Sequence, residues 1–159
     1  MDDDLILVED DQAITPSAKA PWVVLVVDDE PGVHDITSLV LDDFKFDGRG
    51  VQLINAYSAA EAHKILSERG DIAVVLLDVV METDTAGLEL TERIRNELHN
   101  RMVRIVLRTG QPAVMSESEV VRNYEINDYR IKTELTMQRL QEACTLALRA
   151  FRDLQLSSR

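Results

Sequence analysis

The sequence predicts a doubly wound α/β fold, in which a parallel sheet of five strands is covered by helices on both faces. The segment from Ile72 to Asp78 opens with six consecutive apolar residues, too few for an ordinary helix, and this is typical of a strand buried inside a parallel sheet. Strand-like segments alternate with helix-like segments along the rest of the chain, and such alternation requires crossover connections between parallel strands. We therefore expect a three-layer α/β domain with five helices.

Composition narrows the class of protein before any motif is considered. A chain of 159 residues with 45% hydrophobic content is long enough for one domain and too short for two. Its one cysteine, Cys144, excludes an internal disulfide framework and is expected to be a small core residue. The apolar runs are strand-sized and the amino terminus is acidic, so we expect a cytoplasmic protein without a membrane segment. The net charge of −12 argues against direct nucleic-acid binding.

The first strand follows an acidic leader, which we interpret as residues 1–21. Within the leader, Leu5 to Val8 followed by acids imitates a strand and its end, but no helical periodicity comes after it. Trp22 to Val27 is more convincing, because this apolar run ends in three acids at 28–30. Pro31 and apolar residues at helical spacing then predict the first helix.

The second strand and the second helix come after a turn signal at residues 47–50. Val51 to Tyr57 alternates enough between apolar and polar residues to be a strand. Ser58 and Glu61 form a capping box, which predicts the start of a helix. Gly70 ends that helix before the central strand begins.

Two further strands and three helices complete the predicted fold. A polar loop from Met81 to Ala86 leads into the third helix, and Met102 to Leu107 is the fourth strand. A short helix is expected from Ser116 to Tyr124. Ile126 to Ile131 is a weak fifth strand, after which a long last helix is expected to open at residues 132–133.

Polar side chains follow four of the five predicted strands, all at the carboxyl edge where open α/β sheets bind ligands. They are Asp28 and Asp29 after the first strand, Asp78 after the third, Thr109 after the fourth and Lys132 after the fifth. Crowded carboxylates repel one another, so the cluster predicts a hard divalent cation, and magnesium suits two or three carboxylates with a carbonyl and waters. With the cation bound, one carboxylate can attack phosphorus while the lysine and the threonine contact the transferred oxygens.

These residues resemble the receiver domain of two-component response regulators, a flavodoxin-like fold with strand order 2-1-3-4-5. The similarity covers residues 22–148. It implies that Asp78 accepts a phosphoryl group from a histidine kinase or a phosphotransfer protein, and that the domain is a switch and not an enzyme. The resemblance also implies metal binding by Asp28 through water, by Asp29, by Asp78 and by the Val80 carbonyl, phosphoryl contact by Thr109 and Lys132, and an inward turn of Tyr129 on activation.

The sequence departs from the common receiver pattern in two places. The loop from Met81 to Gly87 is one residue longer than usual and lacks the proline expected after Met81. Thr133 stands where a cis-proline is customary. These features, with Leu-Arg-Thr-Gly-Gln at 107–111, resemble receivers at the amino terminus of larger regulators such as HD-GYP cyclic-di-GMP phosphodiesterases.

Two other functions could use similar residues. A phosphatase of the haloacid-dehalogenase type also combines a strand-end aspartate with a threonine or serine and a lysine, but it needs an acid two residues after the nucleophile. Val80 occupies that position. The second alternative is a receiver-shaped interaction module that is never phosphorylated, and the presence of all the site residues argues against it. Tyr129 is explained as readily by packing as by a switch.

Several other polar residues are expected to have simpler roles. His34, His63 and His99 lie on predicted helices without a second ligand at i+4, so we do not expect them to bind metal or carry phosphoryl groups. Glu82 and Asp84 are expected to be solvated loop residues.

The last helix carries an apolar seam that continues beyond the length needed to cover the sheet. Its members recur at alternating spacings of four and three residues: Thr133, Met137, Leu140, Cys144, Ala147, Phe151 and Leu154. We interpret residues 149–159 as an extension of this helix toward an output domain on a longer chain. The same seam predicts a weak homodimer through the last helix, as a two-stranded coiled coil.

Overall fold

The computed structural model describes residues 20–110, 117–132 and 135–158, and these residues form a five-stranded parallel sheet with helices on both faces. The strand order is β2-β1-β3-β4-β5, so the predicted doubly wound fold is confirmed. The strands are β1 (Trp22–Val27), β2 (Val51–Ala56), β3 (Ile72–Asp78), β4 (Arg104–Thr109) and β5 (Asp128–Ile131). The helices are α1 (Pro31–Leu41), α2 (Ala59–Glu68), α3 (Ala86–Glu92), α4 (Glu117–Asn123) and α5 (Met137–Ser157). A π-helical turn over Arg93–Glu97 continues α3.

The strands β1 and β3 lie at the centre of the fold, and every residue of both is buried. Because side chains alternate between the two faces of a strand, each strand contributes to two separate cores. One core contains Val26 and Leu76 together with residues of α1 and α5. The other contains Leu25 and Leu77 together with residues of α2, α3 and α4. This packing gives the predicted three layers.

The fourth and fifth strands begin later than the sequence indicated. Met102 and Val103 are apolar, but their N–H groups donate to the Asn100 side-chain oxygen at 3.2 and 3.0 Å, so they belong to a turn. Strand β4 instead continues through Arg108 and Thr109. The start of β5 is delayed by Asn127, whose side-chain oxygen accepts a hydrogen bond from Ile105 N–H.

The last helix also begins later than predicted, at Met137. Thr136 caps it, because its hydroxyl accepts a hydrogen bond from Arg139 N–H at 3.2 Å. The predicted seam is correspondingly altered. Met137 is 62% exposed, so it does not pack on the sheet, and Thr133 lies outside the described residues.

Phe151 corrects the interpretation that the end of α5 has run past the sheet. Its side chain is buried in the α1 and α5 core and packs edge-on against Trp22, with ring centroids 6.3 Å apart. Leu154, one turn further on, is half-buried. The helix therefore still covers the sheet at Phe151, and this residue is not available for a coiled coil.

Two further expectations concern the acidic leader and the absence of a membrane segment. The strand imitation at Leu5 to Val8, with the rest of the leader to residue 19, lies outside the described residues. Within the described ranges, no helix combines the length and the apolar character that crossing a bilayer demands.

Gly87 allows α3 to begin directly against the end of β3. Its N–H donates to the Val79 carbonyl at 2.9 Å. A Cβ atom at this position would overlap the Asp78 carbonyl oxygen and lie 2.8 Å from the Cα of Val79. Both obstacles are backbone atoms, so any side chain at residue 87 must push α3 away from Asp78.

We expect Gly87→Ala to lower the melting temperature by roughly 5 °C or more, because relieving this overlap shifts the helix or the strand. The matched control is Gly32→Ala in α1, where a Cβ atom meets nothing within 4 Å. It should be neutral or slightly stabilising, since alanine favours the helix. Thermal unfolding followed by circular dichroism measures both. Equal melting temperatures for the two variants would contradict this account of Gly87.

Candidate functional site

Three aspartates meet at the carboxyl edge of the sheet, where β1 and β3 are neighbours. Asp28 and Asp29 follow β1, and Asp78 is the last residue of β3. One carboxylate oxygen from each lies within 4.8 Å of the others. Asp28 and Asp78 are buried whereas Asp29 is exposed, so the cluster is closed on the protein side and open toward solvent. The sequence prediction that these three acids cluster agrees with this geometry.

Lys132 reaches the same cluster from the end of β5. Its Nζ lies 2.8 Å from Asp28 Oδ2, 3.4 Å from Asp78 Oδ2 and 3.5 Å from Glu30 Oε1. Partial burial acts to lower the pKa of Lys132, but the hydrogen bond to Asp28 and the charge of Asp78 outweigh it and raise that pKa above its ordinary value. The lysine is therefore positively charged at neutral pH.

Asp78 is electrostatically strained in this arrangement. Its burial, followed by repulsion from Asp28, raises its pKa to about 6, although the charge of Lys132 and the N–H of Val80 act in the opposite direction. Near neutral pH the side chain is thus mostly ionised but held at a cost. A carboxylate of this kind gains from any added positive charge and is a good nucleophile toward an electrophilic centre.

The donor set fits a hard divalent cation. Asp28 Oδ2 is fully buried, and the Lys132 ammonium lies 2.8 Å from it. One lysine cannot neutralise three clustered carboxylates, so a further cation beside them would lower their mutual repulsion. Carboxylate oxygens are the ligands that Mg²⁺ prefers. The Val80 N–H lies 3.4 Å from Asp78 Oδ1, and metal binding by the Val80 carbonyl stays a prediction.

Thr109 and Tyr129 lie on one face of the sheet, opposite the face that carries Arg108. The register pairs Leu107 with Tyr129, and side chains two residues apart along a strand share a face. Thr109 is 1% exposed and Tyr129 is 6% exposed. The structure therefore has the tyrosine ring already inside the core, so packing and switching roles are both compatible with its position.

The sequence interpretation missed the role of Glu82. Glu82 is an exposed loop residue, as expected, but its carboxylate also accepts hydrogen bonds from the N–H groups of Ala59 and Ala60 at 2.9 and 3.2 Å. These are the first residues of α2, whose free N–H groups and dipole favour an anion. Glu82 thereby ties the loop after β3 to α2. The contact joins residues 22 and 23 positions apart, which no local pattern reveals.

His34 also has a structural role near the acids. Its Nε2 donates to the Asp28 carbonyl at 2.8 Å, and its Nδ1 lies 2.6 Å from Asn55 Oδ1. The ring stacks on Tyr57 with centroids 4.2 Å apart. These contacts fix the backbone that presents Asp28. His63 lies 2.6 Å from Glu97 on the surface and His99 is exposed, both away from the acidic cluster.

Arg108 is the most unexpected residue beside the site. It is 4% exposed, and its Nη1 donates to the Thr37 hydroxyl at 3.0 Å. The sequence analysis ended the fourth strand at Leu107 and so did not place Arg108 inside it, and an arginine at a strand end is usually solvated. Cys144 packs in the same core as predicted, and burial raises its pKa to about 12.

The sheet is doubly wound, with acids at the ends of its first and third strands and a lysine after its fifth. This combination defines a receiver-type domain. The chain belongs to the response regulator receiver domain family, whose sequence profile matches residues 24–145. The predicted family is therefore confirmed.

The relatives include longer proteins. The chain is 50% identical over 145 residues to the 3'3'-cGAMP-specific phosphodiesterase 2 of Vibrio cholerae serotype O1 (strain ATCC 39315 / El Tor Inaba N16961). That alignment covers 91% of this chain and 28% of the relative, so the chain spans less than a third of that protein. This similarity is consistent with the predicted subgroup of receivers in larger regulators.

Solved structures show the same fold. The signal receiver domain of an HD domain-containing protein from Pseudomonas fluorescens Pf-5 has a TM-score of 0.70 and 21% identity, covering 85% of this chain and 92% of that one. A response regulator receiver domain protein from Clostridium thermocellum has a TM-score of 0.70 and 22% identity, covering 84% and 98%. At these identities the likeness establishes the fold alone.

We expect Asp78→Asn to stabilise the magnesium-free protein at neutral pH. The folded-state pKa of Asp78 is raised from 3.8 to about 6, so its ionisation opposes folding. The loss of folding stability is absent below pH 3.8, grows as the pH rises toward about 6, and is complete above that pH. The variant should melt close to wild type at pH 4 and at least about 2 °C higher at pH 7, measured in buffer with a chelator.

The control for this experiment is Asp71→Asn. Asp71 is exposed, and its hydrogen bond from Arg69 lowers its pKa, so neutralising it removes a small stabilising contact. We expect no gain in its melting temperature at pH 7. A difference between Asp78→Asn and wild type that does not change between pH 4 and pH 7 would refute the assignment of the penalty to Asp78.

Proposed function

We propose that this chain is a phosphorylation-controlled signalling switch, in which Asp78 accepts a phosphoryl group from a histidine kinase or a phosphotransfer protein. The observation that carries the proposal is the position of Asp78, which lies within 4.8 Å of two further carboxylates and 3.4 Å from Lys132 Nζ. Membership of the receiver family supports it independently.

Each residue of the cluster has a distinct part in this reaction. An oxygen of Asp78 attacks phosphorus, the bond from phosphorus to the donor nitrogen breaks, and the donor imidazole leaves with a proton. Magnesium held by Asp28 through water, by Asp29, by Asp78 and by the Val80 carbonyl would neutralise charge on the transferred oxygens. Lys132 supplies a second positive charge on the opposite side, and Thr109 donates a hydrogen bond to the new phosphoryl group.

The phosphorylated state is read through Thr109 and Tyr129. A phosphoryl oxygen on Asp78 gives the Thr109 hydroxyl a charged acceptor and draws it toward the site. The space beside Tyr129 changes as a result, because both side chains lie on the same face of neighbouring strands. The surface formed by α4, β5 and α5 then differs between the two states.

We further propose that the switch controls an output domain on a longer, cytoplasmic chain. The support is the Vibrio cholerae phosphodiesterase, of which a chain of this kind covers 28%. Hydrolysis of a cyclic dinucleotide is the output that this relative suggests. A weak homodimer through α5 belongs to the same proposal, but it would have to use exposed side chains such as Leu146 and Leu156 because Phe151 is buried.

The receiver itself is proposed to be a phosphoacceptor and not a phosphatase of the haloacid-dehalogenase type. The acid that such an enzyme requires two residues after the nucleophile is replaced by Val80. Val80 is half-buried and packs against the core. The site therefore has no general acid at that position, and only slow loss of the phosphoryl group is expected.

We expect acetyl phosphate with magnesium to add one phosphoryl group to the protein, on Asp78 alone, because Asp78 alone ends the central strand, whereas Asp28 is fully buried and paired with Lys132 at 2.8 Å. Intact mass measurement detects the addition, and reductive trapping of the acyl phosphate before digestion locates it. Asp78→Asn should take up nothing, and wild type with a chelator should take up little. The control Asp84→Asn, in the exposed loop, should behave as wild type.

Modification of a histidine, or of Asp10 or Asp11 in the leader, would refute both the mechanism and the identification of the first strand. A protein that binds magnesium but takes up no phosphoryl group would favour the interaction module that is never phosphorylated.

We expect beryllofluoride with magnesium to change the rotamers of Thr109 and Tyr129 together in wild-type crystals. In Thr109→Val the mimic should still bind while Tyr129 no longer responds, because the hydroxyl that senses the new acceptor is missing. Thr109→Ser keeps that hydroxyl and should respond as wild type does. Identical Thr109 and Tyr129 rotamers with and without the mimic would contradict the proposed readout.

A further inference from the structure

Arg108 places a positive charge under the acidic cluster, on the side away from solvent. The register of β3 and β4 pairs Asp78 with Arg108, and partners in a parallel sheet project to the same face. That face carries Asp28 as well, since Asp28 follows Val26 at a spacing of two residues. The three charged side chains therefore share the layer between the sheet and the helices α1 and α5.

The guanidinium of Arg108 is poorly satisfied by hydrogen bonds. Nη1 donates to the Thr37 hydroxyl at 3.0 Å, whereas Nε and Nη2 are buried and have no hydrogen-bond partner in the described part of the chain. Burying a charged group without hydrogen-bond partners destabilises the fold, so nearby negative charges must compensate. Burial lowers the pKa of Arg108, and the negative charges of Asp28 and Asp78 act to raise it. The compensation comes mainly from the acidic cluster.

Arg108 is also tied to helix α1. The Thr37 hydroxyl that accepts from it donates in turn to the Val33 carbonyl at 2.7 Å, one turn earlier in α1. Lys132 reaches the acids from a half-buried position on a flexible stem and can move when the site is filled. An arginine keeps its charge at every physiological pH, so its contribution is constant.

The fixed positive charge of Arg108 changes the net charge of the site in each of its states. Asp28, Asp29, Asp78 and Glu30 bring four negative charges, and Lys132 and Arg108 bring two positive ones, so the ionised site has a net charge of −2. A divalent cation changes this to about zero. Phosphorylation replaces the single charge of Asp78 by about −2 and brings the site to about −1. Without the arginine the three values would be −3, −1 and −2.

We propose that Arg108 is a positioning residue that acts through its fixed charge and makes the site one unit less negative in its metal-free, metal-bound and phosphorylated forms alike. The inference rests on the proposed function, because it takes magnesium and a phosphoryl group as the ligands. The inference predicts opposite effects on the affinities for the two ligands. Arg108 weakens binding of magnesium to the unphosphorylated site and strengthens binding of the phosphoryl group that follows.

The test compares variants that keep or remove the charge. Arg108→Met and Arg108→Gln are neutral, and the glutamine keeps a donor for Thr37, which guards against loss of folding. Arg108→Lys keeps the charge without the planar group. Thr37→Val keeps the arginine and removes its hydrogen-bond acceptor. Isothermal titration calorimetry on the whole chain gives the dissociation constant of magnesium alone, and then of beryllofluoride at saturating magnesium.

We expect both neutral variants to bind magnesium at least about fivefold more tightly than wild type and to bind beryllofluoride at least about fivefold more weakly. Arg108→Lys and Thr37→Val should stay within about twofold of wild type on both constants. A purely structural role for Arg108 predicts that both constants weaken together in the neutral variants, and that Thr37→Val weakens them too.

Neutral variants whose two constants change in the same direction, or not at all, would overturn the inference while leaving the proposed function intact. A wild type that binds neither magnesium nor beryllofluoride would overturn the proposed function first, and the inference with it. The two failures are therefore distinguished by the wild-type titration.

Discussion

Crowding of negative charge at the carboxyl edge of the sheet is the constraint on which the rest of this site depends. The strand order makes β1 and β3 neighbours, so the acids that end them must lie side by side. Lys132 compensates from β5, two strands away from β3, and it reaches across the end of β4 to do so. Arg108 offsets part of the negative charge from the layer between the sheet and helices α1 and α5. The protein thus carries its own countercharges for the acidic cluster.

The sequence was sufficient wherever a residue's environment is set by its own strand. An unbroken apolar run predicted β3 with the bounds that the structure has, and the acids and the lysine followed from the strand ends. The same reasoning placed β4 two residues early. An apolar pattern cannot show that Asn100 takes the N–H groups of Met102 and Val103, nor that a charged residue such as Arg108 can be buried within a strand.

The remaining errors arose from contacts between residues far apart in the chain. The hydrogen bonds of Glu82 were not foreseen, because the N–H groups that donate them belong to α2, which lies earlier in the chain. Phe151 looked like the start of an exposed seam because its partner, Trp22, stands at the other end of the domain sequence. In both cases the local spacing was read correctly. Local spacing cannot identify a contact partner that lies far away in the sequence, and in both cases that partner decided the environment of the side chain.

The contact of Gly87 with the end of β3 limits how the loop between β3 and α3 can change in length. Its N–H bond to the Val79 carbonyl closes the loop, so both ends of residues 80–86 are anchored beside the acids. An added residue cannot be absorbed by sliding α3, because the helix already touches the strand backbone. It must bulge outward, toward α2, where Glu82 finds its hydrogen bonds. An insertion in this loop would therefore reshape the rim of the acidic cluster while Asp78 keeps its place.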